Sequence, residues 1–144
     1  VLIQLVLGSA IMGLTTVVAA LSLWGLEVFL ARIHAWVIRP PQGPRLVAAV
    51  SAVMLWTILV MSAAVWIWGL AFWGLGVFVT LEASIYFSLV SFTTLGFGDI
   101  LLPLEWRLLG GLAAANGLLV FALLAAMLVE TLRQTRLRQR GDRG

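Results

Sequence analysis

Gly96 and Gly98 alternate with Leu95 and Phe97 in the run Thr94-Leu95-Gly96-Phe97-Gly98. This spacing suits backbone carbonyls acting as ligands for a dehydrated cation. A cation stripped of its water needs a ring of oxygens in exchange. In an ordinary strand successive carbonyls point to opposite sides. Bringing them all to one axis requires left- and right-handed backbone conformations in turn, and glycine adopts φ > 0 at little steric cost. Leu95 and Phe97 then turn their side chains outward into packing. Thr94 offers a hydroxyl as a further ligand at the inner end.

Other chemistries lack the residues they need. The chain has no cysteine and one histidine, His34, which excludes disulfide frameworks, thiolate zinc sites and a His-cluster metal site. No paired carboxylates or nucleophile–base set stands in a usable place, so an enzyme is not expected. Gly96-Phe97-Gly98 also lacks the third glycine and the strand–helix context of a dinucleotide loop.

The elements that must hold this run are set by composition. Of 144 residues, 62% are hydrophobic and 10% charged, against about 25% charged in soluble domains. Lipid must therefore be the solvent for most of the chain, and membrane lipids are its expected surroundings. Three stretches carry no charge: Val1 to Leu26, Leu46 to Leu81 and Leu108 to Val129. Each exceeds the roughly 20 residues of a spanning helix. The first is read as a retained helix over residues 1–30. A cleaved signal peptide would have an apolar core of only about 7–15 residues behind a basic head.

Residues 31–45 hold Arg32, Arg39 and Arg45 together with Pro40, Pro41, Gly43 and Pro44, and read as a basic loop that interrupts the helix. Five of the nine arginines fall in the tail, residues 133–144. The positive-inside rule places the loop and the tail in the cytoplasm, and so the N-terminus outside. The tail is read as an anchor at anionic headgroups and not as a nucleic-acid-binding segment. Glu27 and Glu130 are expected to pair with Arg32 or Arg133, and His34 to be interfacial or solvated. Trp66, Trp68 and Trp73 suit an aromatic belt at the outer interface. Gly69, Gly74 and Gly76 then loosen the chain into an apolar outer connection, expected to pack on the membrane surface or on neighbouring helices. No span carries arginine at every third position, so no voltage sensor is expected.

Residues Glu82 to Phe92 suit a short helix with Thr80 as N-cap and Glu82 in the first turn, where a carboxylate complements the helix dipole. Such a helix is about 17 Å long and reaches about halfway through a hydrocarbon core of roughly 30 Å. A half-length helix followed by Gly-x-Gly must enter the membrane and return. Non-helical backbone at that depth is tolerated only where protein buries it or water lines it, which implies a pore or cavity built by several subunits. The short helix points its carbonyl end inward, where partial negative charge favours a cation.

The run Thr93-Thr94-Leu95-Gly96-Phe97-Gly98-Asp99 resembles the signature of tetrameric pore-loop potassium channels, in which filter carbonyls replace the hydration shell of the ion. The resemblance covers an outer helix, pore helix, filter and inner helix over residues 46–132, and leaves the first span outside. It implies an all-α membrane protein, with three transmembrane helices plus a re-entrant pore helix and selectivity filter, assembled as a homotetramer in the plasma membrane. It implies potassium ions held by the carbonyls of Thr94, Leu95, Gly96 and Phe97 and by the Thr94 hydroxyl. Thr93, Gly98, Asp99, Tyr86 and Val90 would support the filter. Asp99 would brace it from behind, with Tyr86 as donor. Leu95 stands for the commoner valine and Phe97 for the commoner tyrosine. Phe97 thereby loses a hydroxyl that can bond the pore helix in the family, though members with Gly-Phe-Gly filters are still potassium selective. Val90 stands where some bacterial relatives carry a glutamate paired with this aspartate, and that pair cannot form here. Asn116-Gly117 falls where family inner helices often bend. Asn116 is expected near the water-filled cavity below the filter, with an interhelical hydrogen bond as the alternative. Gly110 and Gly111 are read as close-packing positions. Two other readings stay open: a nonselective cation channel on the same architecture, and a non-conducting membrane subunit that binds a partner through its first helix.

Overall fold

A computed structural model of the chain describes residues 1–38 and 42–141, with side chains over 1–33, 43–130 and at 133. Four helices follow one another: α1 Leu2–Ile38, α2 Gln42–Gly74, α3 Leu81–Phe92 and α4 Arg107–Gly141, the last preceded by a 3-10 turn at Leu104–Trp106. There is no strand among the described residues. Three helices are long and apolar enough to cross a membrane, over Leu2–Ile33, Gly43–Gly74 and Leu104–Glu130. With α3 only 12 residues long, or about 18 Å, the expected alternation of full spans and one half-length helix is present.

The break between the first two spans is much shorter than the 31–45 loop expected from its prolines. α1 runs to Ile38 and α2 begins at Gln42, while residues 39–41 lie outside the described residues. Nothing from Ala31 to Ile38 opposes a helix; the α region is first disfavoured at Arg39, which precedes Pro40. Gly43 and Pro44 fall in the first turn of α2, where the N–H that proline lacks would have no intrahelical partner. The side chains of His34, Arg39 and the tail arginines beyond Arg133 lie outside the described ones. Arg133 pairs with Glu130 at 3.0 Å, an exposed contact that contributes little.

α3 packs into the angle between α2 and α4, and α1 packs along both α2 and α4. Contacts advance together along α1 and α4: Gln4 meets Leu109, Gly8 lies against Leu112, and Thr15 meets Asn116. The two helices therefore run parallel. The shared core includes Ala19, Ala64, Trp68, Phe72, Phe92 and Leu109. Phe72 meets Phe87 of α3 edge-on, with ring centroids 5.3 Å apart, and Ser88 donates to the Val65 carbonyl at 2.7 Å. In lipid, such close packing and hydrogen bonding hold helices together, because apolar faces have no hydrophobic preference for one another over lipid tails.

Trp66 and Trp73 are half-exposed, but Trp68 is fully buried. It faces the neighbouring helices and not an aromatic belt. In the outer connection Val77 and Phe78 pack on the core, while Val79 is exposed. A Cβ on Gly110 would press on Leu102 Cδ1 at 2.6 Å, confirming a close-packed position, whereas Gly111 has nothing within 4 Å in its own chain.

Candidate functional site

The short helix begins as its sequence requires. The Thr80 side chain accepts the Ala83 N–H at 3.2 Å, an N-cap bond that satisfies one of the otherwise unpaired first-turn donors. Glu82 sits in that first turn.

The end of α3 and the start of the Gly-x-Gly run form one unit. Thr93 is the C-cap. The Thr94 N–H donates to the Ser91 carbonyl at 2.9 Å and the Leu95 N–H to the Val90 carbonyl at 3.0 Å, while Gly96 N–H reaches the same Val90 oxygen at 3.3 Å. This is the paired bonding of a Schellman ending, which places its left-handed residue just past the C-cap. That residue is Thr94, with φ of 60°. Glycine is the usual occupant, and a β-branched residue there is a strained outlier of the kind that clusters at functional sites. The side chain of Thr93 donates to Leu89 O at 2.7 Å.

From Thr94 onward the handedness alternates. Thr94, Gly96 and Gly98 have φ of 60°, 56° and 75°, and Leu95 and Phe97 between them do not have positive φ. The sequence pattern marks the two glycines. It does not mark Thr94, because the demand for a left-handed residue there comes from how α3 ends. Val90, buried, takes part through its carbonyl, which accepts the Leu95 and Gly96 N–H groups; its side chain only fills space.

Tyr86 donates its hydroxyl to Asp99 Oδ2 at 2.5 Å, so the expected brace between the short helix and the far end of the run is formed. That hydroxyl, with smaller help from the Asp99 and Ile100 backbone N–H groups, holds the Asp99 carboxyl below its ordinary value. The side chains of Leu95 and Phe97 are 60% and 66% exposed. Most of each side chain is thus uncovered by the rest of its own chain.

Asn116 departs from the cavity reading. It is 1% exposed, and its Oδ1 accepts from the Thr15 hydroxyl of α1 at 2.7 Å and from the Trp68 indole of α2 at 2.9 Å. The interhelical alternative is the one realised. The face of α4 that carries residue 116 was not legible, since the helix is apolar on all sides. Gly117 meets the other neighbour: a Cβ there would overlap the Phe92 carbonyl oxygen and lie 2.9 Å from Phe92 Cα. Its role in this structure is close approach of α4 to the last residue of α3. Among the described residues no cluster of His, Cys, Asp or Glu can hold a metal ion.

The geometry agrees with comparison to known proteins. A family model described as ion channel matches residues 46–134, which takes in α3, the Gly-x-Gly run and most of α2 and α4. The chain belongs to this ion-channel family. Its match is the two-helix pore module of the potassium-channel superfamily, and α1 lies outside that module. Comparison with curated proteins and with solved structures gives no match.

Proposed function

We propose that this channel conducts potassium passively and selectively, as a homotetramer, through a filter made by one Thr94–Gly98 strand from each subunit. The observation that carries this reading is the alternation of φ at Thr94, Gly96 and Gly98. Alternating handedness turns successive carbonyls to one side, and four such strands around an axis supply the oxygen rings that replace the hydration shell of a potassium ion. The carbonyls of Thr94, Leu95, Gly96 and Phe97 form these rings, and the Thr94 hydroxyl adds one at the inner end.

The exposed Leu95 and Phe97 side chains fit an assembly in which neighbouring subunits cover them. Asp99 and Tyr86 brace the outer end, and the Schellman bonds fix the inner end. The arginines of the loop and tail orient the protein in the plasma membrane with its C-terminus in the cytoplasm, so the filter opens outward.

The test is flux through the purified chain in liposomes under opposed potassium and sodium gradients. Potassium flux well above sodium flux is expected. Equal fluxes assign the protein to nonselective cation channels, and folded tetramers without flux assign it to non-conducting membrane subunits.

A further inference from the structure

The first helix has no part in the matched pore module, yet it is tied to α4 at two depths. Gln4 is buried, and its side-chain oxygen accepts the Leu109 N–H at 3.2 Å. That N–H belongs to the first turn of α4, where backbone donors have no intrahelical partner. Eleven residues further along α1, about 16 Å of helix, Thr15 donates to Asn116. Apolar faces in lipid do not select one docking arrangement over another. Two polar ties at different depths fix both the sliding and the rotation of α4 against α1.

The cluster at Asn116 is a poor source of stability. Its Oδ1 takes two donors, but its Nδ2 is buried with no acceptor among the described residues, and an orphaned buried donor is costly. A leucine would remove that orphan but would leave the buried Trp68 indole N–H without its acceptor. A half-satisfied polar group of this kind is better explained by specificity of placement. The next residue shows what is being placed. Gly117 lies against the Phe92 backbone, and Phe92 directly precedes the Thr93–Leu95 turn that opens the run of alternating handedness. One level of α4 thus touches α1 and α2 through Asn116 and the root of the filter through Gly117.

We infer that α1 is a positioning helix for the filter: through Thr15 and Gln4 it holds α4 at the height where Gly117 seats the last turn of α3, and so sets the conformation at Thr94. As far as ion selectivity goes, this rests on the potassium-channel reading above; the structural part does not.

The full chain in liposomes tests it with two substitutions at one position. Thr15→Val keeps the shape and removes the hydroxyl, and Thr15→Ser keeps the hydroxyl. Hydrogen exchange at the Thr94 and Leu95 amides is expected to quicken about three- to tenfold in Thr15→Val, in line with loss of one hydrogen bond, and to stay at the native rate in Thr15→Ser. The potassium-to-sodium flux ratio is expected to fall in the first variant and to hold in the second. If Thr15→Val lowers only the melting temperature, and leaves both amide exchange and flux ratio unchanged, α1 is a membrane anchor and the inference is overturned. Gln4→Leu, which cuts the other tie, is read the same way where Thr15→Val does not assemble. The exchange measurement needs no conduction, so native chain without flux counts against the potassium reading alone.

Discussion

Replacing Gly117 by alanine puts a methyl group where the structure has backbone. The added Cβ would overlap the Phe92 carbonyl oxygen, with the carbonyl carbon at 2.6 Å and Cα at 2.9 Å, whereas ordinary contact begins near 3.4 Å. No side-chain rotation relieves this, because every atom met is main chain. α4 must move away from the end of α3 or the last turn of α3 must deform. Overpacking of this sort costs about 1–3 kcal/mol, and a contact with backbone belongs at the upper end. Alanine recovers about 1 kcal/mol of helix propensity over glycine. The net expectation is a destabilisation of about 2 kcal/mol per chain, or roughly thirtyfold in the equilibrium it controls. Gly13 is the control, since it is exposed on α1 with nothing within 4 Å of its added Cβ; there alanine should be neutral or stabilise by up to about 1 kcal/mol. Thermal unfolding of the reconstituted protein, followed by potassium flux on the same samples, measures both. A Gly117→Ala protein as stable and as conductive as Gly13→Ala would refute the close approach of α4 to Phe92 and, with it, the coupling of that helix to the filter.

Gly96→Ala meets no steric neighbour in its own chain but carries φ of 56°, so its penalty is the left-handed backbone alone. At about 1–2 kcal/mol per strand, multiplied over the four strands of the proposed tetramer, it should abolish conduction in the flux assay while the helices still form by circular dichroism. Tyr86→Phe removes the donor that depresses the Asp99 pKa. A carboxylate with a lowered folded pKa contributes stability that is present above its unfolded value, ordinarily 3.8, and lost as pH falls through the folded one. Conduction by the native protein should therefore hold from neutral pH down to that range and weaken below it, whereas Tyr86→Phe, which lacks the brace at every pH, should conduct less already at neutral pH and change less on acidification, as a pH series of flux will show. Thr80→Ala deletes the N-cap bond to Ala83 and should lower stability by about 1 kcal/mol, read as a drop in melting temperature.

Much of this protein was legible from one dimension. Charge-free runs longer than the bilayer is thick mark α1, α2 and α4, since no other solvent would accept them. The half-length of α3, its Thr80 cap and the glycines at 96 and 98 are local demands, met by local residues. The Tyr86–Asp99 brace formed as the family resemblance implied. The loop between α1 and α2 is shorter than its prolines and glycine suggest, because proline and glycine near a helix start carry no penalty there.

Rotation and docking of the long helices belonged to the tertiary structure. A helix that is apolar all round has no stripe to show which face is buried. That is why Trp68 could be assigned to an interface belt and Asn116 to a cavity, when in fact Asn116 accepts from both Trp68 and Thr15 in a buried cluster. The left-handed conformation of Thr94 was hidden for a related reason: it follows from the way the end of α3 is bonded to the backbone of residues 94–96, and a threonine gives no sign of that in the sequence. Residue types alone marked a glycine-alternating backbone run between two membrane spans. Which helices hold it in place was decided only by packing, because in lipid the few polar groups and missing side chains select the contacts, and their partners are distant in the chain.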